Sequence, residues 1–167
     1  MTDIKKLGLK HIAPYLPYGL KIDYCGQIRN LIGSEILFYS KNHIEDTLLY
    51  LHAGFRQHVR LIDIKPLLRP MSDLYKERNG KVDIVELAKI AGINGTIYPF
   101  EHSLGFGYKY GDTFRWDEDG FIFEFHDLDD SFPVSNQIGL FEYLFANHYD
   151  VYGLIDQGLA IDINNIK

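Results

Sequence analysis

The sequence predicts an α+β fold, because strand patterns and helix patterns occupy separate stretches of the chain. Short apolar runs rich in Ile, Leu, Phe and Tyr fill residues 20–64 and indicate an antiparallel, strand-rich N-terminal half. A capped helix is expected near residues 83–91, and a three-stranded meander of aromatic residues follows at 105–126. Two C-terminal helices are predicted to close the chain, an order typical of α+β proteins.

Prolines limit two of the early elements. The helical spacing that begins at Leu9 meets Pro14, so only a short helix is expected before a turn at Gly19. Pro66 and Pro70 argue against a central strand in residues 64–74, because proline has no N–H to donate within a sheet. We expect a structured loop there, leading into a turn of helix.

Glycine-containing breaks divide the strand-rich half. They occur at Gly26, at Gly33-Ser34, at residues 41–43 and at Gly54. Because such residues favour turns between apolar runs, the segment predicts a meander of three to five strands.

The helix near residues 83–91 has signals at both ends. Asn79-Gly80 is a turn signal, and Asp83 and Glu86 have the spacing of a capping box. Gly92 follows the last apolar position, where a left-handed residue is favoured. We therefore expect the helix to begin after Asp83 and to end at Gly92.

The meander at 105–126 follows from two turn signals, at 111–112 and at 117–120. These turns predict pairs of Trp116 with Phe121, of Phe114 with Phe123 and of Gly107 with Trp116. The aromatic residues would then form one continuous face. On the other face, Arg115 is expected to reach Glu124.

The end of the chain predicts two helices and a strand. An apolar stripe that includes Ile138 and Leu144 predicts the first helix. Asp150 is expected to cap a second, short helix that ends at Gly158. The tail at 159–163 predicts an edge strand.

Charge is divided unevenly along a chain of ordinary globular composition. Hydrophobic residues make up 46% of the 167 positions and charged residues 24%, which excludes a disordered chain. The net charge of −6 argues against non-specific electrostatic binding of nucleic acid or of an anionic membrane over the whole surface. Residues 1–80 carry 12 Lys or Arg against 8 Asp or Glu, a net of +4, whereas residues 81–167 carry 5 against 15, a net of −10. The division indicates either an interaction surface or attraction between the halves within one fold.

Length favours one domain over residues 1–167, with a subdivision near 76–82 as the alternative. The single cysteine, Cys25, argues against a disulfide scaffold. No apolar run of a signal peptide and no stretch of about 18 apolar residues occurs. We therefore expect a cytoplasmic protein that does not bind a membrane.

The most acidic stretch surrounds the second predicted hairpin turn. Residues 112–130 hold 8 acidic side chains, and within them only Arg115 is basic. The spacing of an EF-hand fails, because Phe132 or Ile122 stands where that loop needs glycine. A carboxylate pair that binds a cation or hydrolyses a glycoside is an alternative to a solvated turn. The candidate partner-binding residues here are Trp116, Asp117, Glu118 and Asp119.

A second candidate is a basic strip in the strand-rich half. It consists of His52, Arg56, His58 and Arg60. Because the four positions have the same parity, they would share a face on one uninterrupted strand. Such a face suits phosphate or an acidic partner. The alternative is the solvent-exposed face of an antiparallel sheet with no binding role, and a turn at Gly54 would divide the strip.

The sequence has no signature of catalysis, of a metal site or of a cofactor site. None of the seven histidines has metal-ligand spacing to other ligands. No serine has the Gly-x-Ser-x-Gly context of a hydrolase, and the glycines from residue 105 lack the spacing of a nucleotide loop. We expect no catalytic residue, no metal and no cofactor.

Three segments of the chain are distinctive together. They are Ile12-Ala-Pro-Tyr-Leu-Pro-Tyr-Gly-Leu-Lys-Ile22, Ile64-Lys-Pro-Leu-Leu-Arg-Pro-Met-Ser-Asp-Leu74 and Phe141-Glu-Tyr-Leu-Phe-Ala-Asn-His-Tyr-Asp-Val-Tyr-Gly-Leu-Ile-Asp-Gln-Gly-Leu-Ala-Ile-Asp-Ile-Asn164. In this order they resemble a group of short proteins encoded by phages and prophages of Bacteroidetes-type gut bacteria. The resemblance implies an accessory protein that works inside a bacterial cell by binding, and it supplies no catalytic residues.

These observations favour a non-enzymatic interaction module with a protein partner. One alternative is a small metal-dependent or acid/base hydrolase that uses clustered His, Asp and Glu. Another is a counter-defence protein whose acidic half imitates nucleic acid, and a third is a local nucleic-acid binder that uses the basic strip.

Overall fold

The computed structural model describes residues 6–40, 43–93, 97–99, 104–106, 113–117, 122–127 and 130–166, and it has the α+β fold that the sequence predicts. Its α-helices are α1 (Leu9–Ile12), α2 (Asp83–Ile90) and α3 (Gln137–Ala146). The strand-rich N-terminal half contains β1 (Lys21–Tyr24), β2 (Gln27–Ser40), β3 (His43–His52), β4 (Phe55–Arg60) and β5 (Ile64–Leu68). The later strands are β6 (Glu77–Arg78), β7 (Lys81–Val82), β8 (Ile97–Pro99), β9 (Leu104–Phe106), β10 (Thr113–Asp117), β11 (Ile122–Asp127), β12 (Asp130–Pro133) and β13 (Ile161–Asp162).

The chain forms two compact units. The continuous unit is Pro70–Leu144, and the discontinuous unit combines residues 2–69 with residues 145–167. By sequence, the continuous unit carries 6 Lys or Arg against 14 Asp or Glu, a net charge of −8. The discontinuous unit carries 11 against 9, a net charge of +2. The uneven charge of the sequence is therefore an uneven charge of the two units. A single domain over 1–167, with a subdivision near 76–82, stays a prediction.

The discontinuous unit begins with the short helix that the sequence predicts. After α1 the chain continues as a 3₁₀ helix over Ala13–Tyr18, which accommodates both prolines. Gly19 ends this segment with φ of 69°, a conformation that glycine adopts without strain. Tyr15 is buried, and its hydroxyl donates to the carbonyl oxygen of Tyr149 at 2.7 Å. This bond joins the N-terminal and C-terminal segments of the unit.

A six-stranded sheet in the order β13-β5-β1-β2-β3-β4 forms the body of the discontinuous unit. Strands β1 to β4 are an antiparallel meander, which confirms the predicted three to five strands. Cys25-Gly26 and Ala53-Gly54 are two-residue turns, with φ of 52° and 76° in the first and of 49° and 83° in the second. Positive φ at both positions is typical of the type I′ turn, whose twist suits a hairpin. The predicted break at Gly33 is wrong, because β2 passes through it with a shift of register.

Strand β5 stands where a loop was expected at Ile64–Leu68. It pairs antiparallel with β1 and parallel with β13, so it is flanked on both sides. Pro66 lies opposite Ile22, and the pairs with β13 begin one residue later, at Leu67. The ladder with β13 therefore needs no amide hydrogen from the proline, which is why this strand tolerates it. The predicted turn of helix follows as a 3₁₀ helix over Met71–Tyr75.

The core of the discontinuous unit draws on both of its segments. Its buried residues are Leu7, Ile12, Tyr15, Leu20, Ile22, Leu31, Leu48, Tyr50, Val59, Ile64, Leu68, Leu154 and Ala160. Fully burying one large apolar side chain stabilises a fold by about 1.5–3 kcal/mol, so this set is the main favourable term for the unit. Backbone bonds add to the connection, since Arg69 N–H donates to the His148 carbonyl at 2.8 Å and Asp150 N–H donates to the Arg69 carbonyl at 2.7 Å.

The C-terminal segment differs in part from the expected helix and strand. Asp150 does not cap a helix as predicted; its carboxylate instead accepts the N–H of Leu154 at 2.8 Å and that of Ile155 at 2.7 Å, within a series of turns. These turns occupy residues 151–158, within which two glycines have φ of 64° and 69°. The helical element that follows is a 3₁₀ helix over Ile163–Asn165. The predicted edge strand is confirmed as β13.

In the continuous unit, α2 confirms the predicted helix, but its first turn has no capping box. The helix starts at Asp83, whose carboxylate contacts Arg78 and accepts the Tyr143 hydroxyl at 3.0 Å. Burial and the charge of Asp83 raise the pKa of Tyr143. Gly92 ends the helix with φ of 77°, and Asn79-Gly80 forms the turn between β6 and β7, both as predicted.

A five-stranded antiparallel sheet in the order β12-β11-β10-β9-β8 contains the predicted meander as its central strands. Trp116 pairs with Phe123 and Phe114 with Phe125, so the register differs from the prediction by two residues. A shift of two leaves each side chain on its face. The aromatic face is therefore retained, and Phe114 and Phe123 are fully buried. The predicted neighbours Phe121 and Gly107 lie outside the described residues, but the predicted pair of Gly107 with Trp116 is wrong, because β9 pairs Leu104 with Phe114, a register five residues away.

Helix α3 packs its leucines inward and holds a strand of the sheet. Leu140 and Leu144 are buried, whereas Ile138, expected in the apolar stripe, is 76% exposed. The Gln137 side chain donates to the Phe123 carbonyl at 2.8 Å and accepts the Phe123 N–H at 3.1 Å. Of the helices in the described ranges, none has the length and apolar character needed to cross a bilayer.

Candidate functional site

The hairpin of β3 and β4 has one buried face and one more exposed face. Its two-residue turn sets the register, which pairs Leu51 with Arg56 and Leu49 with His58. Residues that lie directly opposite each other share a face of the sheet. The buried face carries Leu48, Tyr50 and Val59. The other face, here named the hairpin face, carries Leu49, Leu51, Arg56, His58 and Arg60.

The turn at Gly54 divides the predicted basic strip. His52 pairs with Phe55, and this pair lies on the side opposite the hairpin face. Because two residues form the loop, even-numbered residues of β4 share a face with odd-numbered residues of β3. The expectation that all four basic residues share one face is therefore wrong for His52. The structure brings together Arg56, His58 and Arg60.

Two large apolar side chains are exposed beside the turn. Leu51 is 51% exposed on the hairpin face, and Phe55 is 71% exposed on its reverse. On one uninterrupted strand, these two odd-numbered residues would both lie opposite the even-numbered strip. A two-residue turn at Ala53-Gly54 places Leu51 opposite Arg56, so the turn is the sequence signal that predicts Leu51 on the basic face.

Carboxylates neutralise part of the charge of the hairpin face. His58 Nε2 lies 2.9 Å from Glu35 Oε2. Arg60 makes a bidentate contact with Asp63, in which Nε donates to Oδ2 at 2.7 Å and Nη2 donates to Oδ1 at 3.1 Å. Arg56 is exposed and makes no ion pair with another residue of the described ranges. Sequence reasoning missed Glu35, because it reaches His58 from β2, across β3, and no local pattern links the two.

The second candidate, the acidic hairpin of the continuous unit, is partly described. Trp116 is only 8% exposed, and its ring lies 5.0 Å from that of Phe123 and 5.8 Å from that of Phe141. Asp117 is half-buried at the end of β10. Glu118 and Asp119 lie outside the described residues. The assignment of these four residues to a partner surface stays a prediction.

A polar cluster lies on the other side of the same sheet. The predicted contact of Arg115 with Glu124 is formed between directly opposite residues, not diagonally, with Nη2 3.6 Å from Oε2, and His126 Nε2 lies 2.9 Å from the same oxygen. Desolvation opposes ionisation of Glu124, but hydrogen bonds from Ser131 and His126 and the charge of Arg115 outweigh it and lower the pKa of this carboxyl. At neutral pH the group is an ionised acceptor, which makes it unsuited to donate a proton.

Metal ligands do not converge within the part of the chain that the structure describes, where no three His, Cys, Asp or Glu side chains form a group that could hold an ion. Cys25 is exposed in the turn between β1 and β2.

Comparisons with known protein families, with curated proteins and with solved structures find no match to this chain.

Proposed function

We propose that this chain is a non-enzymatic interaction module that binds a protein partner through the hairpin of β3 and β4. The observation that carries the proposal is the exposure of Leu51 and Phe55 beside Arg56. Interface centres combine aromatic or apolar anchors with arginine inside a polar rim. His58 and Arg60 would supply part of such a rim.

Charge favours a protein over a nucleic acid at this hairpin. His58 and Arg60 already contact Glu35 and Asp63. A phosphate backbone would compete with these carboxylates, and affinity for it rests on several free cations. An exposed leucine beside the cations adds nothing to phosphate binding but supports a protein contact. A local nucleic-acid contact would instead show affinity that falls steeply with salt.

The resemblance to phage and prophage proteins supports a setting for this activity. As part of the same proposal, the protein acts in the cytoplasm of a bacterial host as a phage-encoded or prophage-encoded accessory protein. A counter-defence role, in which the continuous unit with its net charge of −8 imitates nucleic acid, is one form of it. The hydrolase alternative would have to use Glu124, beside His126, as a base, because the lowered pKa of Glu124 makes it unsuited to donate a proton.

Co-purification with designed variants tests the proposal. The tagged full-length chain would be used to capture a partner from host cells, and that partner would be purified and titrated against each variant. We expect Leu51→Ser combined with Arg56→Glu to weaken binding about tenfold or more, because it removes an anchor and reverses a charge. The substitutions lie on exposed side chains, so the fold should be retained.

A matched control uses the continuous unit. Ile138→Ser combined with Lys81→Glu also changes one exposed apolar residue and one exposed cation, and it should leave affinity unchanged. Charge reversal at Asp117, Glu118 and Asp119 tests the acidic hairpin in parallel. Equal affinity of the wild type and the hairpin variant would overturn the proposal. Loss of binding in the acidic variant alone would move the site to the continuous unit.

A further inference from the structure

Strand β4 is an edge strand of the six-stranded sheet, and the part of β4 nearest the turn is exposed. In the strand order β4 follows β3, and no described strand pairs with its other side. The exposed residues in this part are Phe55, Arg56, Gln57 and His58. An exposed edge strand offers backbone donors and acceptors to which an extended segment can add as a further strand.

The two-residue turn determines which backbone groups face that edge. In such a hairpin the residues that flank the turn, His52 and Phe55, form a hydrogen-bonded pair, and such pairs alternate along the strands. Phe55 and Gln57 therefore bond to β3. The N–H and C=O groups of Arg56 and His58 point away from β3, toward the edge. A strand added antiparallel to β4 would form hydrogen-bonded pairs with these two residues.

The side chains of the same residues define what sequence would fit. A strand beside β4 would place the residues that pair with Arg56 and His58 on the hairpin face, two positions apart. An acidic residue opposite the exposed Arg56 would gain an ion pair with it, whereas His58 already contacts Glu35. The residue between them would lie on the reverse side, beside the exposed ring of Phe55. An apolar residue at that position would cover the ring.

We propose that the protein partner contributes an extended segment in which acidic and apolar residues alternate, and that this segment adds to the sheet antiparallel to β4. The inference rests on the proposed function and specifies its mode of binding. Backbone pairing with Arg56 and His58 supplies affinity, and the exposed Arg56, which makes no ion pair within the described ranges, selects an acidic residue opposite it. Charged residues also protect sheet edges from pairing with one another, and that role alone would give no selectivity for an acidic segment.

Labelled peptides test the mode of binding on the intact chain. The probe is a fluorescent seven-residue peptide that alternates Glu with Val, and binding is followed by fluorescence anisotropy. We expect saturable binding below about 1 mM, and binding at least about tenfold weaker for a peptide that alternates Lys with Val. Methylating the amide nitrogens of the Glu residues should weaken binding about tenfold or more, because these nitrogens would donate to β4. Methylating those of the Val residues, which point away from β4, is the matched control.

Two protein variants complete the test. Arg56→Glu should weaken probe binding about tenfold or more. His58→Pro removes an edge N–H that β3 does not use, so it should abolish binding while circular dichroism stays unchanged. Lys81→Glu, in the continuous unit, should bind the probe like the wild type.

The outcomes separate this inference from the proposed function. If hairpin substitutions abolish capture of the natural partner but the two methylated peptides bind equally well, strand addition is overturned while the proposed function stands. No binding of the Glu-Val probe up to about 1 mM overturns the inference as well. Wild-type dimers that form with rising concentration, and that excess probe leaves intact, would assign the edge to a second copy of this chain and would also overturn it.

Discussion

At the residue scale, His11 acts as a hydrogen-bond acceptor at the start of the chain. Its Nδ1 accepts the Gly8 N–H at 3.0 Å, and its ring packs edge-on against Tyr152 with centroids 5.4 Å apart. The side chain is buried, and burial, followed by the charge of Lys10, lowers the pKa of His11. A protonated Nδ1 could not accept this bond, so the fold favours the neutral ring.

The lowered pKa of His11 predicts acid sensitivity. The unfolded chain binds this proton more readily, so the stabilisation is present above the unfolded pKa of about 6.5 and is lost as pH falls through the folded pKa. One such group changes the free energy of unfolding by at most about 1.4 kcal/mol per pH unit. His11→Asn keeps an acceptor that does not titrate, and it should reduce the slope between about pH 7.5 and about pH 5.5.

Urea unfolding at several pH values measures this slope. His148 contributes in the same direction, because burial lowers its pKa too, so His11→Asn should reduce the slope without abolishing it. His52→Asn, at an exposed position, serves as the control. Identical slopes for the wild type and His11→Asn would contradict the role of His11.

At the element scale, the Gln137 side chain links α3 to β11. It bonds to both the N–H and the C=O of one β11 residue, as a residue of a neighbouring strand would. Besides its two bonds to the backbone of Phe123, its Nε2 donates to the Val134 carbonyl at 3.0 Å. Phe123 is fully buried, so its backbone groups cannot turn to water when the amide is removed. No sequence pattern indicated this role, because the side-chain contact depends on where the helix lies against the sheet.

Removing that amide should destabilise the continuous unit. We expect Gln137→Ala to lower the free energy of unfolding by about 2 kcal/mol, since the Phe123 N–H loses its acceptor, although the Phe123 carbonyl still accepts the Val134 N–H at 3.2 Å. Gln137→Glu should be harmful at neutral pH, where its carboxylate would face two carbonyl oxygens, and should recover when acid protonates it. Chemical denaturation measures both effects, with the exposed Glu142→Ala on the same helix as control. Equal stability of Gln137→Ala and Glu142→Ala would refute the role.

At the scale of the whole molecule, the discontinuous unit joins two distant segments. Tyr15 bonds to Tyr149, and the backbone of Arg69 bonds to residues 148 and 150. The core of this unit includes Leu154 and Ala160 alongside residues of the meander. The two segments should therefore lose protection together when that core is weakened.

Hydrogen exchange tests this cooperation. Ile22 is fully buried in the N-terminal segment, and Ile22→Ala should cost roughly 2–5 kcal/mol. We expect protection to fall in residues 145–166 as well as in residues 7–69, relative to Ile62→Ala, which changes a side chain that is 67% exposed. Loss of protection confined to residues 7–69 would show that the segments unfold separately.

Local rules account for much of what the sequence determined by itself. The turns at Gly26, Gly54 and Asn79-Gly80 and the end of α2 at Gly92 depend on residues a few positions apart. Such features depend on φ preferences and nearby hydrogen bonds, which the sequence carries directly. Alternation of aromatic residues likewise predicted the faces of β10 and β11, although neither their register nor the face and register of β9.

Only the tertiary structure decided the features that depend on distant neighbours. A strand through Pro66 requires partners that leave its missing N–H unused, and the contact of Glu35 with His58 requires β2 and β4 to flank β3. Leu51 stands on the basic face because the two-residue loop reverses the parity of the strip. Trp116 is buried because helix α3 packs on the aromatic face. Register and burial arise from long-range packing, which short-range sequence patterns do not encode.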